Sequence, residues 1–437
     1  MPKSTRQASP TILRAPAFLY RRAATNSPLF LFCEQVNLGN LALRHGTPLY
    51  VYSGQTIRTR LQAFDRAFRS IPHTVCYSVK ANSTLAILRL VAEQGVGFDV
   101  VSGGELERVL RAAPNSASKV VFSGVGKTVP EMELALESGI LLFNVESASE
   151  VRALAMTAAL LKKTARIALR VNPHVSAKTH PYISTGLHEH KFGVPIPEAR
   201  RLYAEAAKHS HLRVAGVSVH IGSQITDLRS FTDALSRVVE LVRELRSAGQ
   251  DIRYVDAGGG LAIPYRQSPE PFVGQLAAYA KAVLDPLRKL GVHLLLEPGR
   301  SIVGPAGVLL TRVIYRKTNN GKNFLIVDAA MNDLLRPSLY GAYHEIVPVR
   351  PPANGERETT DVVGPVCETG DFLARGRELP IMQEGDLLAI LDAGAYGSTL
   401  SSNYNTRGRA AEVLVDGVKS RVIRKREKAR DQMRLER

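Results

Sequence analysis

Residues 74–84 read TVCYSVKANST, an apolar run with a lysine at its end. Val75, Cys76, Tyr77 and Val79 are β-prone and bounded by turn residues, which predicts a short buried strand. Asn82, Ser83 and Thr84 then offer N-caps for the helical pattern LAILRLVAEQG. Lys80 therefore stands at the mouth of a buried strand. It is either a lysine snorkelling to solvent or an amine tuned to condense with a carbonyl.

The same unit recurs up to about residue 300. Seven further Val/Ile/Leu-rich segments end in polar or glycine residues: VGFDVVS, KVVFSG, ILLFNVES, RIALRVNP, VAGVSVHIGS, IRYVDAGGG and VHLLLEPGR. Helix-period segments such as GELERVLRAA, ASEVRALAMTAALLKK and DALSRVVELVRELRSAG lie between them. Eight alternating units of this kind predict a (β/α)8 TIM-type barrel, with a doubly wound open sheet as the alternative. After Gly304 the texture changes to strands without long helices, punctuated by Gly, Pro and Asn: GVLLTRVIYRK, KNFLIVDAA, HEIVPVR, TTDVVGPVCET, DLLAILDAGA and AEVLVDG. That predicts an all-β domain. The strand ending NLGNLALRHGTPLYVYS precedes the barrel and is expected to join that sheet. The expected division is a disordered basic extension (1–27), an N-terminal segment joining the β domain (28–54), the barrel (55–302), a sandwich- or barrel-like β domain (303–420) and a basic tail (421–437).

The formal net charge of +17 invites a nucleic-acid reading, but its distribution argues against one. Residues 1–33 carry Lys3, Arg6, Arg14, Arg21 and Arg22 and no acid. After Asp416 the chain holds nine basic and three acidic residues, so the two ends supply 5 and 6 of the 17 charges. The remainder is spread thinly and lacks the aromatic-basic interleaving of RNA-binding sheets, so both ends read as solvated tails. No apolar run is long enough to span a membrane, and no signal-peptide pattern is present. Cys33, Cys76 and Cys367 are too few for a disulfide framework, which points to a reducing, cytoplasmic setting. The Arg-, Ser- and Ala-rich start leaves organellar targeting as a minor alternative.

In a barrel of this type, chemistry is built at the C-terminal ends of the strands. Those ends carry Lys80, Asp99 with Ser102, Ser123, Glu146, Arg170 with Asn172, His220 with Ser223, Gly258-Gly259-Gly260, and Glu297 with Arg300. Any one has a structural explanation, but stability alone does not call for the whole set. Three glycines after a strand would let successive N–H groups face an anion. With Ser223 as a further donor, that loop suits a small phosphate such as that of pyridoxal phosphate. Glu297 closes an apolar strand, where it either pairs with Arg300 or faces the pyridine nitrogen of that cofactor. His220 is either a satisfied core histidine or a ring lying flat on the cofactor. SGVGKT at 123–128 resembles a P-loop end but has Val121 where the first glycine belongs. His188-Glu189-His190 lacks the spacing of a metal site, so no metal is expected.

YSVKANS, HIGSQI, DAGGGLAIPY, EPGRSIVGPAG, RPSLYGAYHEI, GPVCETGDFLA and DAGAYGSTLSSNYNTR together resemble the motif set of the diaminopimelate decarboxylase family. The resemblance runs from about Val36 to about Gly417, in the family's order. It implies an alanine-racemase-like, fold type III pyridoxal 5'-phosphate enzyme acting as a homodimer on meso-diaminopimelate. Lys80 would hold the cofactor covalently, His220 would stack on its ring, and Glu297 would pair with the ring nitrogen. Ser223 and Gly258, Gly259 and Gly260 would hold the phosphate, with Tyr396 adding a hydroxyl there or toward the substrate. Arg300, Arg336 and Tyr340 would bind the distal carboxylate. Cys367, as proton donor, and Glu368, gripping the distal ammonium, would reach in from the partner subunit. Asp99 and Arg170 would stand behind the cofactor. Racemases of this fold type place an arginine at the ring nitrogen, so Glu297 favours a decarboxylase. Ornithine or lysine ends in an ammonium alone, whereas diaminopimelate also presents a carboxylate suited to arginine. The other readings are that Arg336 pairs with Asp333, that Cys367 is a small buried residue, and that Tyr340 and Tyr396 only pack. The alternatives are a decarboxylase of the same fold type acting on ornithine, arginine or carboxynorspermidine, and a non-catalytic pyridoxal-phosphate carrier.

Overall fold

The computed structural model describes residues 17–22, 27–175, 191–266, 271–352 and 355–436. His188-Glu189-His190 and most of the N-terminal extension lie outside them. The eight anticipated strands form as His73–Ser78, Gly97–Val100, Val120–Phe122, Leu142–Val145, Ala165–Asn172, Leu212–Ser218, Tyr254–Asp256 and His293–Leu296. Each pairs in parallel with the next, and the eighth returns to the first through Leu296 opposite Val75. The sheet is closed, which excludes the doubly wound alternative.

Closure buries both faces of these strands, which is why they read as unbroken apolar runs. Cys76, Val121, Leu142, Ala168, Ala215 and Leu295, one from each of six strands, meet in a single cluster. The helices between strands have apolar stripes at helical spacing. In Arg229–Ser247 the buried stripe includes Phe231, Leu235, Val238, Val242 and Leu245. Three helix starts on the strand C-terminal side are capped by side chains, which fixes where those rim loops end. Ser102 and Ser147 accept from Glu105 N and Glu150 N, and Thr128 with Glu131 makes a capping box.

The chain divides into two units, one made of Arg58–Pro264 with Ser268–Ile302 and one made of Val303–Arg437 with the N-terminal segment through Ile57 and the short stretch that begins at Tyr265. The second unit is built on a sheet ordered Phe372–Pro380, Arg357–Val363, Lys322–Val327, Gly307–Asn319, Leu49–Ser53, Ala411–Asp416 and Lys419–Arg424. Leu49–Ser53, from before the barrel, lies between Gly307–Asn319 and Ala411–Asp416, as expected. The polar hairpin turns at Asn320 and Gly321, both at positive φ.

Both chain ends differ from the expectation of solvated tails. Phe18–Arg22 pairs with Leu29–Cys33, and Lys419–Arg424 pairs with Ala411–Asp416, where Arg424 meets the buried Glu412 at 3.6 Å. Edge strands need no apolar face on both sides, so a basic sequence can be one. Phe372–Pro380 was also unforeseen, because its charged residues and Gly376 mask the alternation.

Candidate active site

The rim of the barrel is built outward from the first strand. After Ser78 the chain makes one 3-10 turn, Val79–Ala81, which lifts Lys80 to the rim. Its ammonium meets Asp99 Oδ2 at 2.6 Å. Asp99 is fully buried at the end of the second strand, and Ser78 Oγ lies 2.8 Å from the same oxygen. Lys80 thus has a carboxylate partner rather than the apolar pocket that a tuned amine suggests.

The glycine turn holds a correction. Gly258 N–H donates to Asp256 Oδ1 at 2.9 Å and Gly259 N–H to His220 Nδ1 at 3.2 Å, so two of the three amides are committed within the protein. Among the described residues the Gly260 N–H takes no partner. The glycines are required mainly for close approach. A Cβ at Gly258 would sit 2.6 Å from His220 Nδ1, one at Gly259 would overlap the Glu297 carbonyl oxygen, and one at Gly260 would lie 2.5 Å from Gly222 O. Gly258 and Gly260 also have positive φ, +66° and +108°. Gly259→Ala should therefore lower the unfolding free energy by about 1–3 kcal/mol, read by denaturant titration.

His220 is placed by this turn. Because Nδ1 accepts the Gly259 N–H, the imidazole carries its proton on Nε2. Burial first, then the charges of Arg170 and Lys80, push its pKa well below the usual value, so the ring is neutral. Arg170 is pinned behind it by Glu146 at 3.0 Å, and Glu146 also accepts the Gly193 N–H at 2.8 Å. Ser223 Oγ accepts from Arg300 Nη2 at 3.1 Å.

Glu297 turns to two other partners rather than to Arg300. Ser123 Oγ lies 3.2 Å from its Oε1, and its carboxyl is hydrogen-bonded to that of Asp256. Burial, then the neighbouring charges of Asp256 and Asp99, raise the Glu297 pKa well above normal. Burial raises the Asp256 pKa as well, but its two fixed donors, Gly258 N–H and Asn144 Nδ2 at 2.6 Å, work against that and favour its charged form. The shared proton therefore belongs to Glu297, which donates it to Asp256. Asn144 also reaches Ser123 Oγ at 3.0 Å. Asp256 and Asn144 were missed as site residues; the available signal was a polar side chain near the end of an otherwise apolar barrel strand.

The P-loop-like lysine proves structural. Lys127 is buried and clipped to Glu150 Oε1, Gly124 O and Asn144 O, each at 2.7 Å. Ser102 is a helix cap, as described above.

The remaining expected residues lie in the second unit. Arg336 is buried at the start of the short helix Arg336–Tyr340. It does not depend on Asp333, whose Oδ2 accepts the Ala330 N–H and whose carboxyl burial pushes up to about 7. Instead Arg336 Nη1 lies 2.6 Å from His344 Nε2, with its guanidinium 4.5 Å from the Tyr265 ring. Cys367 and Glu368 are exposed, and Cys367 N–H donates to Asn405 Oδ1 at 3.0 Å. Cys367 is thus not the small buried residue of the bland reading. Tyr340 and Tyr396 are half-buried, the latter at a positive φ of 55°.

Residues 54–304 match the family described as pyridoxal-dependent decarboxylase, pyridoxal binding domain, so fold and site define a decarboxylase that uses pyridoxal phosphate. The chain is 54% identical over 397 residues to the diaminopimelate decarboxylase of Pseudomonas aeruginosa, covering 91% of this chain and 94% of that protein. The crystal structure of diaminopimelate decarboxylase from Helicobacter pylori complexed with L-lysine superposes with a TM-score of 0.88, at 44% identity over 92% of this chain and 99% of that one. The crystal structure of diaminopimelate decarboxylase from m. jannaschii in co-complex with L-lysine gives a TM-score of 0.90 at 37% identity, over 98% of this chain and 99% of that one. The chain belongs to the diaminopimelate decarboxylase family.

The residues present fit the cofactor. The rim offers an amine at Lys80, a neutral imidazole at His220, and a buried acid at Glu297 that holds a proton. It also offers a glycine cradle that any Cβ would fill.

Proposed function

We propose that this protein decarboxylates meso-2,6-diaminopimelate to L-lysine and CO2, with pyridoxal 5'-phosphate held covalently by Lys80. When bound, the cofactor supplies an aldehyde for the substrate amine and a pyridinium ring that takes up the electron pair left by departing CO2. Glu297 would turn to the ring nitrogen the proton that it shares with Asp256, and Asp256, anchored by Asn144 and Gly258, keeps that acid in place. His220 offers a neutral face for stacking, set by the Gly259 N–H. Gly260 N–H and Ser223 suit the phosphate, with Tyr396 nearby in the family pattern. Asp99 orients the Lys80 amine, and Arg170 supports His220.

Substrate choice would rest on the distal end. Arg300, Arg336 and Tyr340 would take its carboxylate, and Glu368 its ammonium. Cys367 Sγ would deliver the proton that replaces CO2 at the substrate carbon. Cys367 and Glu368 would serve the partner subunit of a homodimer. Three free cysteines suit a reducing, cytoplasmic setting.

The observation that carries this reading is the span of the likeness. At 54% identity over 397 of 437 residues, it takes in both the barrel rim and the second unit's Arg336, Cys367 and Glu368. Arg336→Ala tests it. The specificity constant for diaminopimelate should fall by about 10²-fold or more, with inhibition by D-lysine, which keeps the reacting end but lacks the distal carboxylate, little changed. Equal losses for both ligands would remove the distal-carboxylate argument.

A further inference from the structure

Arg336 begins a helix of five residues that ends at Gly341 in a left-handed turn (φ +59°). The reversal brings His344, eight residues on, back beneath the arginine. His344 is fully buried. Its Nδ1 lies 2.7 Å from the Leu391 carbonyl oxygen, and its Nε2 lies 2.6 Å from Arg336 Nη1.

These two partners settle the tautomer. A carbonyl oxygen only accepts and a guanidinium only donates. Nδ1 must therefore carry the hydrogen given to Leu391 O, and Nε2 must offer its lone pair to Arg336. The backbone is pinned at the same place, since Leu391 N–H donates to Glu345 O at 2.8 Å. Tyr265 completes the seat. Its ring lies 4.5 Å from the Arg336 guanidinium and packs edge-on against the His344 ring at 5.1 Å between centroids.

His344 and Tyr265 carry no charge in this arrangement. They hold the guanidinium in position without neutralising it, as a carboxylate partner would. A planar fork needs a fixed orientation to grip a carboxylate through two bonds.

We infer that His344 is a specificity-determining positioning residue, which sets Arg336 for the distal carboxylate of a diamino dicarboxylate. The inference rests on the proposed function, and the experiment separates the two. His344→Asn keeps a donor for Leu391 O but is too short to reach Arg336. His344→Gln can place an acceptor oxygen near the Nε2 position.

KM for diaminopimelate should rise about tenfold in His344→Asn, the scale of one hydrogen bond to a charged group, and return most of the way in His344→Gln. The kcat should stay within about twofold, as should the inhibition constant of D-lysine, which keeps the reacting end but has no distal carboxylate to lose. If His344→Asn does not fold, Tyr265→Leu, at a half-buried position, should show the same split between the two ligands in smaller measure. Equal weakening of both ligands, or no change in either, would overturn the inference. A wild-type protein that releases no CO2 from diaminopimelate would instead overturn the proposed function, and this inference with it.

Discussion

Lys80→Ala should abolish the visible absorption band of the bound cofactor and lower turnover by about 10⁴-fold or more. The amine sits on a single 3-10 turn after the first strand, oriented by Asp99 at 2.6 Å. Alanine there removes the nucleophile while leaving the buried strand untouched, so the protein should fold and still take up some cofactor non-covalently. Borohydride treatment of the wild type followed by peptide mapping should find the cofactor on the peptide carrying Lys80. Retained colour in the variant would mean that another lysine holds it.

Glu297→Gln should lower kcat by about 10²–10³-fold while the cofactor still binds, because glutamine can neither lend a proton to the ring nitrogen nor balance its charge. A kcat within about threefold of wild type would contradict this role. The same variant has a signature in the cofactor-free protein. The folded-state pKa of Glu297 lies well above the ordinary 4.5, chiefly through burial. Between those two values the folded protein binds a proton that the unfolded chain has lost, so stability falls as pH rises through the window. Wild-type Tm should therefore drop more steeply than that of Glu297→Gln as pH rises above the ordinary 4.5. Parallel Tm profiles would show that Glu297 does not hold its proton in the folded protein.

Much of the barrel was legible in the sequence because closure buries each strand on both faces, leaving short apolar runs with abrupt polar ends. Those ends also exposed Lys80, Asp99, His220 and Glu297 as a set. What stayed hidden was pairing across the barrel. Asn144, Asp256, Ser123 and Glu297 come from four different strands, and only closure makes them one network. The glycine turn was read for its amides, whereas its tight quarters come from backbone and His220 atoms far away in the chain. Lys127 looked like half a phosphate loop because its three oxygen partners are likewise tertiary. In the second unit, His344 gave no signal, since its partners Arg336 and Leu391 meet it only after the Gly341 turn. The basic strand Lys419–Arg424 was hidden for a different reason: an edge strand carries no two-sided apolar pattern.

The most direct measurement is CO2 release by the purified protein, loaded with pyridoxal phosphate, from meso-diaminopimelate, ornithine, arginine and carboxynorspermidine in parallel. Diaminopimelate should give CO2 and L-lysine in equal amounts, with the other three at least about 10²-fold slower, because each lacks a carboxylate beside its distal amine. Faster release from any of those three, or none from diaminopimelate, would contradict the assignment.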